Sequence, residues 1–184
     1  MKIIFLDIDG VVCTDNAYNL AVNEWYNEEI NPTKLYEFVR SRIMNNVYVP
    51  DFNREFWPVD TTAVQYLHKI VRENPSVKFV ISSSWREDFS TIKSITRVLK
   101  FKGLHIPIIG LTKLLKVDRG LEILDWLKNY HGEKITHWCA IDDMPNAIEE
   151  YITKELVVTD MQTGFNKEAY DKVCAILELE NHAG

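Results

Sequence analysis

The 184-residue chain holds three cysteines, seven glycines and six prolines. Three cysteines, odd in number and without a CxxC spacing, argue against a disulfide framework. With glycine and proline scarce, no internal repeat, low-complexity tract or flexible linker is visible. Long apolar runs are also missing. Runs such as Ile3 to Leu6 and Phe79 to Ile81 fall far short of the about 20 residues a helical membrane span needs. Asp7 arrives too early for the apolar region of a secretory signal, and no small-residue cleavage site follows. These absences lead us to expect a cytoplasmic protein with no membrane association. What is present is ordinary globular material, 46% hydrophobic and 26% charged, in a length suited to one domain over 1–184.

The net charge of −6 speaks against stable binding to extended nucleic acid, but the charge is uneven. Eight basic residues and three acids lie between Trp85 and Gly120, whereas thirteen acids face five lysines from Leu121 onward. The basic stretch reads either as solvated helix faces or as a positive wall beside an anion site.

Five short β-type runs alternate with helical patterns, the mark of an α/β fold with a Rossmann-like parallel sheet. The runs are Lys2 to Leu6, Val77 to Ile81, Ile106 to Ile109, Thr136 to Ile141 and Leu156 to Val158. Between them, Asp60 is placed to cap a helix carrying Val64, Leu67, Ile70 and Val71 inward. A second stripe holds Phe89, Ile92, Ile95 and Leu99, and Asp118 is placed to cap a third helix with Leu121, Leu124 and Leu127 inward. Further helices are expected after Pro145 and across Tyr170, Val173, Cys174 and Leu177. Residues 16–58 do not fit the alternation. They are too long for a plain βα loop and hold nine of the chain's 21 aromatic residues, which predicts an inserted, mostly helical cap. Those aromatics read as the cap's own core or as base-stacking platforms.

In an open α/β sheet, ligands bind where the strands end. Those ends read Asp7-Ile8-Asp9-Gly10, Ser82-Ser83-Ser84 and Asp142-Asp143. Four carboxylates at one edge repel one another unless a cation sits among them, and an all-oxygen set suits Mg2+. Asp7 and Asp9, two apart in an extended segment, can address one pocket. One of them can attack phosphorus while the other moves a proton. Gly10 allows a sharp turn and a close approach of the backbone to substrate.

Phe5-Leu6-Asp7-Ile8-Asp9-Gly10-Val11-Val12 resembles the first motif of the haloacid dehalogenase (HAD) superfamily. Ile81-Ser82-Ser83-Ser84 is similar to its second motif and Ala140-Ile141-Asp142-Asp143 to its fourth. Arg119, 23 residues before Asp142, is preferred to Lys113 or Lys116 for the basic third motif. The resemblance implies a HAD core with a cap after the first strand and a Mg2+-dependent phosphatase working through aspartyl-phosphate. It implies Asp7 as nucleophile, Asp9 as general acid and base, and Ser82, Ser83 and Arg119 as phosphate-binding residues. Asp7, Asp142 and Asp143 are the implied metal ligands, with Asp9 contributing its backbone carbonyl. An Asp at position 9 also separates the chain from the dehalogenase branch, which lacks it. The phrases Val80-Ile81-Ser82-Ser83-Ser84-Trp85-Arg86, Arg119-Gly120-Leu121-Glu122-Ile123 and Val158-Thr159-Asp160-Met161-Gln162-Thr163-Gly164 look like a compact HAD group found in RNA-repair proteins. That likeness favours a nucleotide or a nucleic-acid end phosphate as substrate, with a small phosphorylated metabolite as the alternative.

Arg86 is expected to contact a second substrate anion, or else to pair on the surface with Asp88 or Glu87. Trp85 reads as packing, or as a stacking platform. The five histidines show no zinc-type spacing, and Cys13, Cys139 and Cys174 read as packing residues. Two rivals to the phosphatase are a phosphomutase or phosphotransferase, and a non-catalytic module that binds Mg2+ or phosphate.

Overall fold

The structure is a computed structural model, and it describes residues 1–20 and 58–179. Five parallel strands form one sheet: β1 (Lys2–Leu6), β2 (Val77–Ile81), β3 (Ile108–Leu111), β4 (His137–Asp142) and β5 (Leu156–Val158). Their spatial order is β3-β2-β1-β4-β5, so β1 lies in the middle and its neighbours come from distant parts of the chain. The helices are α1 (Thr61–Glu73), α2 (Ile92–Phe101), α3 (Arg119–Asn129) and α4 (Lys167–Ile176), and residues 15–20 are also helical.

The sheet is covered on both faces, which is why its strands read as nearly unbroken apolar runs. Ile4 and Leu6 of β1 pack with Leu67 and Ile70 of α1, Ile95 and Leu99 of α2, and Val173 of α4. Ile3 and Phe5 point the opposite way, into a second core with Ile123 of α3, Ile148 and Ile152. There Phe5 meets Trp126 and Trp138 edge to face, with centroids 5.4 and 5.8 Å away.

Asp60 caps α1 as expected, accepting from the backbone N–H groups of Thr62 and Ala63 at 2.8 and 3.0 Å. Five details differ from the sequence reading. The third strand lies two residues later than expected, with Gly110 inside it. Phe89 precedes α2, which starts after a reciprocal cap between Thr91 and Ser94. Only a single 3-10 turn, Pro145–Ala147, follows Pro145. Leu121 and Leu124 of α3 are exposed, and its buried positions are Gly120, Glu122 and Ile123. The rotation has a local cause. Gly120 lies so close to the segment beyond β4 that a Cβ there would stand 2.9 Å from the Tyr151 ring. Asp118 precedes α3 without capping it and accepts from the Tyr151 hydroxyl at 2.9 Å. The predicted cap at 16–58 lies, beyond residue 20 and before residue 58, outside the described residues.

Candidate active site

The parallel ladder places three strand ends side by side. The Asp7 N–H donates to the Ile141 carbonyl at 3.0 Å, and the Ser82 N–H donates to the Leu6 carbonyl at 3.0 Å. Asp7 therefore stands between Ser82 at the end of β2 and Asp142, the last residue of β4. One carboxylate oxygen from each of Asp7, Asp142 and Asp143 lies within 4.8 Å of the others. Asp7 and Asp142 are almost fully buried.

Such a cluster needs positive charge, and Arg119 at the start of α3 supplies part of it. Its Nη1 ion-pairs with Oδ2 of both Asp7 and Asp142. Burial works against the guanidinium's charge, but the two carboxylates outweigh it and hold the Arg119 pKa above its ordinary value. Arg119 does not fully balance the acids. Burial, then the neighbouring Asp7, pushes Asp142 up to about 7, despite Arg119 and a hydrogen bond from the Met144 N–H at 2.9 Å. Asp143 is raised for the same two leading reasons. An oxygen-only set, two of its three acids buried, whose charged form is still disfavoured beside one arginine fits a hard divalent cation such as Mg2+. Asp7, Asp142 and Asp143 are the side chains that would hold it.

Asp9 is set apart. Its side chain is not among the converging three, and its Oδ1 accepts from the Trp85 indole N–H at 2.9 Å. Trp85 is fully buried, so of the two readings packing is met, together with a polar link to Asp9. Gly10 has φ +67°, a region that favours glycine, and a Cβ there would stand 2.3 Å from Asp143 Cγ. Here the glycine makes room for Asp143. The Gly10 carbonyl accepts from the Thr159 hydroxyl at 2.9 Å, tying this turn to the end of β5.

Ser82 and Ser83 are both buried at the end of β2. The Ser83 hydroxyl accepts from the Trp85 N–H at 3.3 Å and caps the 3-10 turn Ser84–Arg86. Arg86 is not the surface residue paired with Asp88 or Glu87 that one reading expected. It is buried and forms an ion pair with Glu122 at 2.9 Å, because a cation enclosed here needs a counter-charge and carbonyl partners. Of the other basic candidates, Lys113 pairs with Asp125 at 3.3 Å, well apart from the Arg119 contacts.

Sequence reasoning missed Glu122, Thr112 and Thr159. Glu122 had a readable signal: it stands three residues after Arg119, on the same side of a helix, beside apolar positions that imply burial. Thr112 and Thr159 act through hydroxyl contacts to distant loops, which carry no local signature.

The all-parallel sheet, with Asp7-Ile8-Asp9 after its middle strand and Asp142-Asp143 beside it, agrees with the HAD-like core that the sequence resemblance implies. More specifically, residues 3–170 match the family described as HAD domain in Swiss Army Knife RNA repair proteins, and the chain belongs to that family. Comparisons with curated proteins and with solved structures gave no match. Membership points to phosphatase-type hydrolysis, and the acidic cluster fits a HAD active site.

Proposed function

We propose that the protein is a Mg2+-dependent phosphomonoesterase acting in the cytoplasm on a nucleotide or on the phosphate at a nucleic-acid end. The convergence of Asp7, Asp142 and Asp143 around Arg119, with Asp9 held apart by Trp85, carries this reading. In it, an Asp7 carboxylate oxygen attacks phosphorus, the bond to the leaving oxygen breaks, and Asp9 protonates that oxygen. Asp9 then takes a proton from water, whose oxygen attacks the aspartyl-phosphate, releasing inorganic phosphate and restoring Asp7. Arg119, Ser82 and Ser83 hold the transferring group and offset its charge. Asp7, Asp142 and Asp143, with the Asp9 carbonyl, would hold Mg2+, which would add further charge neutralisation. The family's description as a domain of RNA repair proteins favours polynucleotide ends over sugar phosphates.

The test is phosphate release from a panel of mononucleotides, 3′- and 5′-phosphorylated oligonucleotides and sugar phosphates. Release is expected with Mg2+, none after EDTA, and none from a folded Asp7→Asn variant. Turnover by Asp7→Asn at the wild-type rate would remove the nucleophile from the scheme.

A further inference from the structure

The groups proposed to hold the phosphoryl come from separate elements: Ser82 directly follows β2, and Arg119 begins α3. Their separation must be held to a fraction of an ångström for chemistry, yet both sit at the edges of loops. Arg86 and Glu122 span the gap. From within the Ser84–Arg86 turn, Arg86 Nε donates to the Ser83 carbonyl at 2.6 Å. Its Nη1 donates to the carbonyls of Thr112 at 3.0 Å and Lys113 at 3.3 Å, and to the Thr112 hydroxyl. Its Nη2 meets Glu122 Oε2 at 2.9 Å, while Glu122 Oε1 accepts from the Leu115 N–H at 2.8 Å. Arg86 and Glu122 are 5% and 4% exposed, so this fork works out of water.

We propose that Arg86 and Glu122 are a positioning pair for the phosphoryl site, locking the first turn of α3, and with it Arg119, onto the serine end of β2. A buried ion pair is a weak device for stability alone, since apolar side chains of similar shape often pack as well. What a guanidinium adds is direction. A planar fork binding a strand end, a loop and a helix start fixes their mutual angles, and no aliphatic side chain or ammonium matches that. Glu122 lies one turn after Arg119, so movement at its carboxylate is passed to the arginine that touches Asp7 and Asp142. The inference rests on the phosphatase reading above.

The experiment compares wild type with Arg86→Lys, which keeps the charge but not the fork, and with Glu122→Gln, which keeps the volume and an acceptor. Steady-state hydrolysis of p-nitrophenyl phosphate with saturating Mg2+ is measured at a temperature where circular dichroism shows each protein folded. Both variants are expected to lose about 10- to 100-fold in kcat, the scale of a small misplacement. KM should change by less than about threefold, because contacts that matter mainly in the transition state are affected. Folded variants with wild-type kcat would overturn the inference and leave the phosphatase reading intact. Failure of both variants to fold would assign the pair to stability alone and overturn it too. If wild type released no phosphate from any ester, both readings would fall together.

Discussion

Replacing Gly10 by alanine tests the turn that follows β1 and packs against Asp143. Two separate costs arise there. The first is conformational: at φ +67° an alanine side chain costs about 1–2 kcal/mol relative to glycine. For a chain of this length that lowers Tm by about 2–8 °C. The second is a collision. The new Cβ would stand 2.3 Å from Cγ, 2.4 Å from Oδ2 and 2.6 Å from Cβ of Asp143. To recover ordinary contact, Asp143 must retreat by about an ångström. Mg2+ demands ligands at close to 2.1 Å in near-octahedral geometry, so a carboxylate shifted that far stops serving it well. We expect Gly10→Ala to melt earlier in circular dichroism and to need about tenfold or more Mg2+ for half-maximal phosphate release, the scale seen when a ligand's support is lost. Gly10→Asn is the control. Asparagine tolerates the left-handed region better but carries the same Cβ, so its Tm should fall less while its Mg2+ demand rises as much. An alanine variant with wild-type Tm and wild-type Mg2+ dependence would refute the assignment of Asp143 to the site.

Trp85→Phe removes the donor that Asp9 accepts from at 2.9 Å, and hydrogen bonds to charged groups are worth about 1.5–3 kcal/mol. A fall in kcat of about tenfold or more is expected by steady-state kinetics, and an unchanged kcat would separate Trp85 from the chemistry. Asp60→Ala deletes the α1 cap and should cost about 1 kcal/mol, read as a Tm drop of about 2–4 °C. The three cysteines are all buried, and burial raises the Cys13 thiol to about 12 and pushes Cys139 up as well. Raised thiol values keep the unreactive protonated form at pH 8, where Cys13 would carry a thiolate fraction on the order of a thousandfold below a free thiol's. Native protein should therefore resist Ellman's reagent, and all three thiols should react once guanidinium unfolds it. Rapid labelling of Cys13 in the folded protein would contradict its burial.

The strand ends were the most readable part of the chain, because apolar runs and the polar residues that stop them are local features. Val77 to Ile81 and Leu156 to Val158 lie where their composition placed them, and Asp7, Ser82 and Asp142 line up once the ladder brings those ends together. Side-chain direction was less legible. Leu121 and Leu124 have the right period to face a core, but the close seating of Gly120 against Tyr151 turns α3 so that they face out. Arg86 illustrates the other limit. From the sequence its nearest acids were Glu87 and Asp88, whereas its partner is 36 residues away on an element set by the sheet order. Only the tertiary arrangement decides which of several acids reaches a buried cation.

Residues flanking the span from 20 to 58 are stitched to each other and to the core. The Asp60 N–H donates to the Val12 carbonyl at 2.7 Å, and the Asp15 N–H donates to the Met161 carbonyl at 3.0 Å. Departure and return thus occur at neighbouring, fixed anchor points, whatever travels between them. The core alone therefore fixes where the chain passes at Val12 and Asp15 and where it comes back at Asp60.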